Sequence, residues 1–228
     1  MSSVCLTLDV DWAPDEVLEE VLGELEESGV RATIFATHAS DVLANVDPAR
    51  FEVAIHPRFE SLAEPGGPID ELLALYPDAR GMRSHGLVVS SSILQAAADR
   101  GLVYEANHFL PFHPELRPVP RFETLHTIPL YWSDDYHLLF RRPFVVDELR
   151  LDTPGLKVLN FHPIHVFANT SDLDHYASFK PHYHDADALR RLRDRRALGT
   201  GSLFDAVLDR LRGASTPTLS EVHDAAVG

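Results

Sequence analysis

The chain has 228 residues, of which 45% are hydrophobic and 24% are charged, as in an ordinary globular protein with a sizeable core. Its net charge of -15 argues against a nucleic-acid backbone or an anionic membrane as partner, because both would repel an acidic surface. A single cysteine excludes an intramolecular disulfide, and thirteen histidines indicate that any bound metal has imidazole and carboxylate ligands.

The amino terminus and the hydropathy pattern bear on location. No basic stretch followed by an apolar core opens the chain, and no apolar run is long enough to span a bilayer. We therefore expect a protein without a membrane span that works in the reducing cytoplasm.

The first segment, residues 4–10, is an apolar, β-prone run that predicts a buried strand. Asp9 and Asp11 lie two residues apart at its end, so the alternation of strand side chains would place both on one face. Two adjacent carboxylates repel each other unless a cation lies beside them. An equally good interpretation is that one caps the next helix and the other faces solvent.

Helical and strand patterns alternate along the rest of the chain. The predicted helices cover residues 14–29, 39–43, 69–76, 91–100, 185–196 and 202–212. The predicted strands cover residues 31–37, 51–55, 127–132 and 155–161, residues 81–86 predict a short strand and turn, and a further strand is predicted to start at residues 103–105. Residues 107–121, rich in proline and aromatic residues, predict an irregular lobe, and the tail after residue 213 is expected to pack on the surface. The alternation indicates one α/β domain over residues 1–228, with a parallel barrel or part of one.

Polar side chains with catalytic or metal-binding chemistry stand at the end of five predicted strands. They are Asp9, Asp11, His56, Arg83, His85, Asp134, Asp135, His162 and His165. A single histidine at a strand end is more often a satisfied structural residue than a ligand. Because the ends of parallel strands meet at one rim of a barrel, five in succession favour a functional site.

Five segments in a fixed order resemble a known family. They are residues 6–11 (Leu-Thr-Leu-Asp-Val-Asp), 25–35, 51–56 (ending in Ala-Ile-His), 81–86 (Gly-Met-Arg-Ser-His-Gly) and 159–163 (Leu-Asn-Phe-His-Pro). Their order resembles the polysaccharide deacetylase family, the NodB-homology domain, and the last two are most similar to its WbmS-like branch, associated with bacterial surface-polysaccharide loci. The resemblance implies a distorted (β/α) barrel that removes N-acetyl groups from sugars with a divalent metal.

The resemblance also implies roles for individual residues. Asp11 and His56 would bind the metal, and Asp9 would act as the general base. Arg83 would hold Asp9 ionised, and His162 would protonate the leaving amine. The implied metal is zinc, with iron, nickel, manganese or cobalt as alternatives, and the implied partner is a small-molecule carbohydrate.

The third metal ligand is where the sequence departs from the family pattern. The family's second metal histidine corresponds to Glu60 here, and the proline of its arginine motif corresponds to His85. Zinc accepts a carboxylate or an imidazole as third ligand. We favour His85, because histidine is the commoner ligand and lies two residues from Arg83, and interpret Glu60 as a solvated loop acid.

The other candidate site residues have an alternative interpretation each. His165 could replace His162 as acid or support it, and Asp134 and Asp135 could hold His162 or bind sugar hydroxyls. The two acids fit an exposed turn equally well. Trp12 and Trp132 could stack on a sugar ring, although aromatic residues near strand ends are more often core.

Three functional classes compete. The favoured one is a metal-dependent hydrolase of an N-acylated sugar, and the same centre could hydrolyse another small amide. Loss of the usual histidine is also what a catalytically inactive sugar-binding or regulatory module would show. Keeping Asp9, Arg83 and His162 together favours the hydrolase, because a binding module needs no acid, base and orienting arginine. A phosphatase or nuclease would need more carboxylates and basic phosphate ligands.

Overall fold

The computed structural model describes residues 2–122 and 124–228. Its strands are β1 (Ser2–Asp9), β2 (Ala32–Ala36), β3 (Phe51–Ile55), β4 (Gly81–Met82), β5 (Tyr104–Glu105), β6 (Val119–Phe122), β7 (Leu125–Thr127), β8 (Trp132–Ser133) and β9 (Gly155–Phe161). Its α-helices are α1 (Asp15–Ser28), α2 (Asp41–Ala44), α3 (Gly66–Leu75), α4 (Ser91–Asp99), α5 (Asp134–Leu139), α6 (Pro163–Ala168), α7 (Leu173–Phe179), α8 (Ala186–Leu192), α9 (Thr200–Leu211) and α10 (Leu219–Val227).

The nine described strands form one sheet in the order β6-β7-β5-β4-β3-β2-β1-β9-β8. All neighbouring strands in it run parallel except β6 and β7, which form an antiparallel pair. Strands β1 and β9 each have a paired strand on both sides and are buried on both faces, which explains their nearly continuous apolar sequences.

The sheet curls until its two halves meet. The segment after β5 bonds to the segment before β8, through Leu110 N–H to the Leu130 carbonyl and Leu130 N–H to the His108 carbonyl, both at 2.9 Å. On its other side the segment before β8 bonds to β9, where Tyr131 N–H donates to the Val158 carbonyl at 3.0 Å. The predicted distorted (β/α) barrel is therefore confirmed, with its least regular side between β5 and β8.

Helices α1, α6 and α9 pack together against the outside of this sheet. The edge of Phe161, at the end of β9, meets Phe204 of α9 with ring centroids 5.0 Å apart. Burial of these apolar faces fixes β1 and β9 side by side, which brings Asp9 and His162 to the same rim.

Three predicted element boundaries were wrong, each for a local reason. The predicted strand 127–132 is interrupted, because Pro129 has no N–H to donate to a ladder, and residues 132–133 form a separate strand. Helix α3 begins at Gly66, three residues before the predicted start at residue 69, with Pro68 in its first turn where proline is tolerated. The helix predicted over residues 185–196 ends at Leu192.

The segments predicted as irregular or as surface tail contain regular structure. Strand β6 lies inside the predicted lobe. The tail forms α10, which begins with a reciprocal cap between Thr218 and Glu221. Two ion pairs, Arg31–Glu221 and Arg80–Asp224, both at 2.7 Å, hold it near the amino ends of β2 and β4. None of the helices in the described part of the chain has the length and hydropathy needed to cross a membrane.

Candidate metal and catalytic site

The carboxyl ends of the parallel strands surround one open cavity of about 560 Å³, a size typical of small-molecule sites. The polar residues that line it are Asp9, Asp11, His56, His85, Ser133, Asp135, Tyr136, Asn160 and His162. The apolar residues that line it are Leu87, Phe109, Leu130 and Leu139. Six of the eleven residues predicted for the site line this cavity. A seventh, Arg83, lies behind Asp9 and bonds to it.

The turn after β1 places Asp11. The strand ends at Asp9, and Asp11 and Trp12 have φ angles of 46° and 60°, in the left-handed region that L-residues rarely adopt. Trp12 N–H donates to Thr37 Oγ1 at 3.0 Å, which helps hold this conformation. Strand alternation therefore does not explain how Asp11 joins Asp9 at the cavity, and the prediction was wrong on that point. Backbone strain of this kind is commonly found at functional sites.

Asp9 is held by a buried polar network at the base of the cavity. Its Oδ1 accepts a hydrogen bond from Arg83 Nη1 at 2.8 Å, and its Oδ2 accepts one from Asn160 Nδ2 at 2.8 Å. The same guanidinium nitrogen donates to Thr7 Oγ1 at 3.0 Å, and the Arg83 side chain is 0% exposed. A buried guanidinium paired in this way fixes the orientation of the carboxylate.

Asn160 was not singled out from the sequence. The signal was an amide within the apolar run of β9, where an unpaired polar group would be costly. Glu105 and Asn107 were also not singled out from the sequence. The Glu105 carboxylate accepts from Asn107 Nδ2 at 2.8 Å, and Asn107 Oδ1 accepts from the Ser84 backbone N–H at 2.7 Å, which anchors the turn that carries Arg83.

Asp11, His56 and His85 converge from three strand-end turns. Asp11 Oδ1 lies 3.2 Å from His56 Nε2 and 3.1 Å from His85 Nδ1. Burial favours the neutral acid, but hydrogen bonds from both rings and the nearby His162 lower the pKa of Asp11 below its ordinary value. The hydrogen bond to Asp11 in turn raises the pKa of His85.

This donor set fits a divalent metal. One carboxylate and two imidazoles offer ligand atoms that all lie within 4.8 Å of one another. In a tetrahedral zinc site with bonds of 2.0–2.1 Å, ligand atoms are separated by about 3.3 Å, close to the two distances from Asp11. The buried Nδ1 of His56 also has no hydrogen-bond partner among the described residues, although buried polar atoms normally have one.

Glu60, the alternative third ligand, lies outside this cluster. Its side chain is 83% exposed and 3.7 Å from Arg58 Nη2. A surface pair of this kind contributes little to stability. The structure brings together Asp11, His56 and His85 instead.

His162 lies beside the triad, immediately before α6. Its Nδ1 is 2.6 Å from Asp134 Oδ1, and its backbone N–H donates to Asp134 Oδ2 at 2.7 Å. Its Nε2 points to Asp11 Oδ2 at 3.6 Å. Burial lowers the pKa of the ring, but the carboxylates of Asp135 and Asp134 outweigh it and raise that pKa well above its ordinary value.

Four residues predicted to bind substrate have other places. Asp134 is 1% exposed and uses both oxygens on His162, so it positions that ring and is not free for sugar hydroxyls. Trp132 is 0% exposed and donates its indole N–H to His137 at 3.2 Å, so it offers no face to a ligand. Trp12 packs edge-on against His85, outside the cavity wall, and His165 lies buried behind Asp135, 3.2 Å from its Oδ1.

The fold and the site together define an α/β barrel with a carboxylate–histidine centre at the carboxyl ends of its strands. The family model described as WbmS-like polysaccharide deacetylase matches residues 6–180. The chain therefore belongs to the WbmS-like polysaccharide deacetylase family, and the family predicted from the ordered motifs is confirmed.

Solved structures agree with this assignment. A candidate polysaccharide deacetylase from Bordetella bronchiseptica, described as involved in O-antigen biosynthesis, is 32% identical, with a TM-score of 0.83 over 91% of this chain and 90% of that one. A protein from Mycobacterium smegmatis, also described as a candidate polysaccharide deacetylase, has the same fold at 16% identity, with a TM-score of 0.62 over 98% of this chain and 89% of that one.

A third structure has the same fold but is described as a pseudoenzyme. It is a carbohydrate esterase family 4 pseudoenzyme from Bacillus anthracis, 14% identical, with a TM-score of 0.53 over 97% of this chain and 65% of that one. No curated protein matches the chain. Membership of the fold therefore leaves the activity to be argued from the site residues.

Proposed function

We propose that the chain is a metal-dependent hydrolase that removes an N-acetyl or other N-acyl group from a sugar or sugar derivative during bacterial surface-polysaccharide synthesis. One observation carries the proposal: a single cavity contains a carboxylate fixed by a buried arginine, a carboxylate–imidazole triad and an imidazole fixed by a buried carboxylate. The similarity to the Bordetella bronchiseptica protein supports the polysaccharide context.

Asp11, His56 and His85 would hold the metal, most simply zinc, with iron, nickel, manganese or cobalt as alternatives. When bound, the metal supplies a Lewis acid that lowers the pKa of water and polarises the acyl carbonyl. Asp11 brings the negative charge that the cation requires, and the lowered pKa keeps its carboxylate ionised for that role.

Asp9 is the proposed general base. Its carboxylate lines the cavity, and Arg83 and Asn160 occupy one position on each of its oxygens. Each carboxylate oxygen has a further lone pair, so Asp9 can still accept a proton from the attacking water. The two fixed hydrogen bonds hold the accepting oxygen at a constant orientation.

His162 is the proposed general acid. Asp134 accepts from Nδ1, so Nε2 is the nitrogen that faces the cavity and gives its proton to the leaving amine. The carboxylates of Asp135 and Asp134 raise the pKa of this ring, which favours the protonated state that the acid needs.

The test is acetate release from N-acetylated sugars by protein loaded with one equivalent of metal. We expect turnover by the wild type, and a loss of about 10²–10⁴-fold in Asp9→Asn and in His162→Gln, with metal content unchanged. Undiminished turnover in both variants would overturn the proposed roles. Circular dichroism of each variant controls for loss of the fold.

The second candidate is a non-catalytic carbohydrate-binding or regulatory module. It is favoured by the Glu60 substitution in the family's metal motif and by the existence of a pseudoenzyme on this fold. A wild type that binds sugars but releases no acetate with any of the five metals would establish it. In that case Asp9→Asn would leave sugar affinity nearly unchanged.

A further inference from the structure

A second cluster of metal-ligating side chains lies next to the first. Asp135, His162 and His165 offer three ligand atoms that all lie within 4.8 Å of one another. His165 Nε2 is 3.2 Å from Asp135 Oδ1, and His162 Nε2 is 3.7 Å from Asp135 Oδ2. These separations are close to the roughly 3.3 Å between ligand atoms in a tetrahedral zinc site.

The local fold makes this cluster. His162 immediately precedes α6 and His165 lies in its first turn, so the two rings face the same side with centroids 5.7 Å apart. Asp135 lies in the first turn of α5, beside them, and its side chain is 63% exposed. The two rings are buried, and the partly exposed carboxylate lies beside both of their Nε2 atoms.

Each ring has an oxygen beside the nitrogen that faces away from the cluster. His162 Nδ1 lies 2.6 Å from Asp134 Oδ1, and His165 Nδ1 lies 3.0 Å from Thr170 Oγ1. Each oxygen can accept a hydrogen from Nδ1, so a metal ion that displaces the proton on Nε2 finds a lone pair on the nitrogen that faces Asp135. Imidazole ligands in metal sites characteristically donate their other nitrogen to such a partner.

We propose that Asp135, His162 and His165 form a second divalent-metal site, and that filling it inhibits the enzyme. The inhibition, unlike the site, rests on the proposed function, because it requires His162 to be the acid. Nε2 of His162 must carry the proton for the leaving amine, and the same Nε2 is the ligand. A metal there sends that proton to solvent and leaves the amine without a donor.

The second site should bind more weakly than the first. Its carboxylate is exposed, so it loses side-chain freedom when it is fixed on an ion. The two sites are also adjacent, since Asp11 Oδ2 lies 3.6 Å from His162 Nε2, and two bound cations repel each other. At one equivalent the metal therefore occupies the first site, and inhibition appears only in excess.

Counting metal ions tests the site without any assay of activity. Chelator-treated protein would be titrated with zinc in competition with a chromogenic chelator. We expect two sites in the wild type, and loss of only the weaker one in His165→Gln and in Asp135→Ala. His113→Gln, which changes an exposed histidine whose Nδ1 contacts the Pro114 carbonyl, is the matched control and should keep both. Asp135→Ala decides the question if the buried His165→Gln variant does not fold.

Activity tests the consequence. The ratio of acetate release at one equivalent to that in excess zinc should be at least 10 in the wild type and close to 1 in each second-site variant. A single zinc site in the wild type, or a weaker site that survives both substitutions, would overturn the proposal. If the wild type binds two zinc ions but is inactive, and the two variants lose the weaker ion as expected, the proposed function and the inhibition are overturned while the site is upheld.

Discussion

The two carboxylate–histidine clusters use the same ligand types but are built differently. The first, formed by Asp11, His56 and His85, takes one residue from each of three strand-end turns that lie far apart in the sequence. The second, formed by Asp135, His162 and His165, takes its residues from the first turns of two short helices.

Their surroundings differ more than their composition. In the first cluster both rings converge on one oxygen of a carboxylate, and the buried Nδ1 of His56 has no partner in the described part of the chain. In the second, each ring has its Nδ1 occupied by a neighbouring oxygen. The carboxylate oxygen shared by both rings suits a tightly held cation in the first cluster, and the occupied Nδ1 atoms of the second leave each Nε2 to exchange a proton or to bind an ion more weakly.

The largest effect is expected from breaking the first cluster. His85→Ala removes one of the three ligands, so we expect loss of the tighter metal ion and a fall in turnover of about 10³-fold or more, because the metal supplies several kcal/mol of transition-state stabilisation. Inductively coupled plasma mass spectrometry measures the bound metal, and acetate release measures the turnover. Retention of a full equivalent of tightly bound metal would contradict the ligand assignment.

The next effect concerns the proton carried by the second cluster. Asp134→Asn removes one of the carboxylates that raise the pKa of His162, so that pKa should fall. The acid works below its pKa, and turnover should therefore be lost at lower pH in the variant than in the wild type, with the maximum reduced by about 10²-fold. A pH–rate profile measures this, and an unshifted alkaline limb would show that another group is the acid.

A smaller effect should follow from loosening the second cluster. Thr170→Val keeps the shape of the side chain but removes the oxygen beside His165 Nδ1. Affinity for the weaker zinc ion should fall by about 10-fold, because partners of ligand imidazoles typically contribute 10–100-fold. The chelator competition described above measures it. Thr153→Val, on an exposed turn, is the control and should leave the affinity unchanged.

The smallest effect is expected at the residue where the family motif differs. Glu60 is 83% exposed beside Arg58, so Glu60→Ala should leave the metal content at its wild-type value and the free energy of unfolding within about 0.5 kcal/mol. Metal analysis and urea denaturation check both. Loss of metal in this variant would replace His85 by Glu60 as third ligand.

The sequence was informative where local patterns and tertiary environment agree. Apolar, β-branched runs predicted β1, β2, β3 and β9 to within a few residues, because strands buried on both faces leave a continuous hydrophobic signature. It was less informative between residues 107 and 154, where the strands are only two to four residues long and proline interrupts their ladders. The short helices α5, α6 and α7 were missed because so few residues show no clear period.

What the sequence by itself determined is the family, the barrel, and the residue types at the ends of its strands, since these depend on ordered motifs and hydrophobic period. The tertiary structure decided how those residues meet. Asp11 reaches the cavity through a left-handed turn, Asn160 and Arg83 meet on Asp9 from distant strands, and Thr170 orients His165. These contacts depend on strand register, side-chain tautomer and the angle between packed helices, which no local pattern of residues specifies.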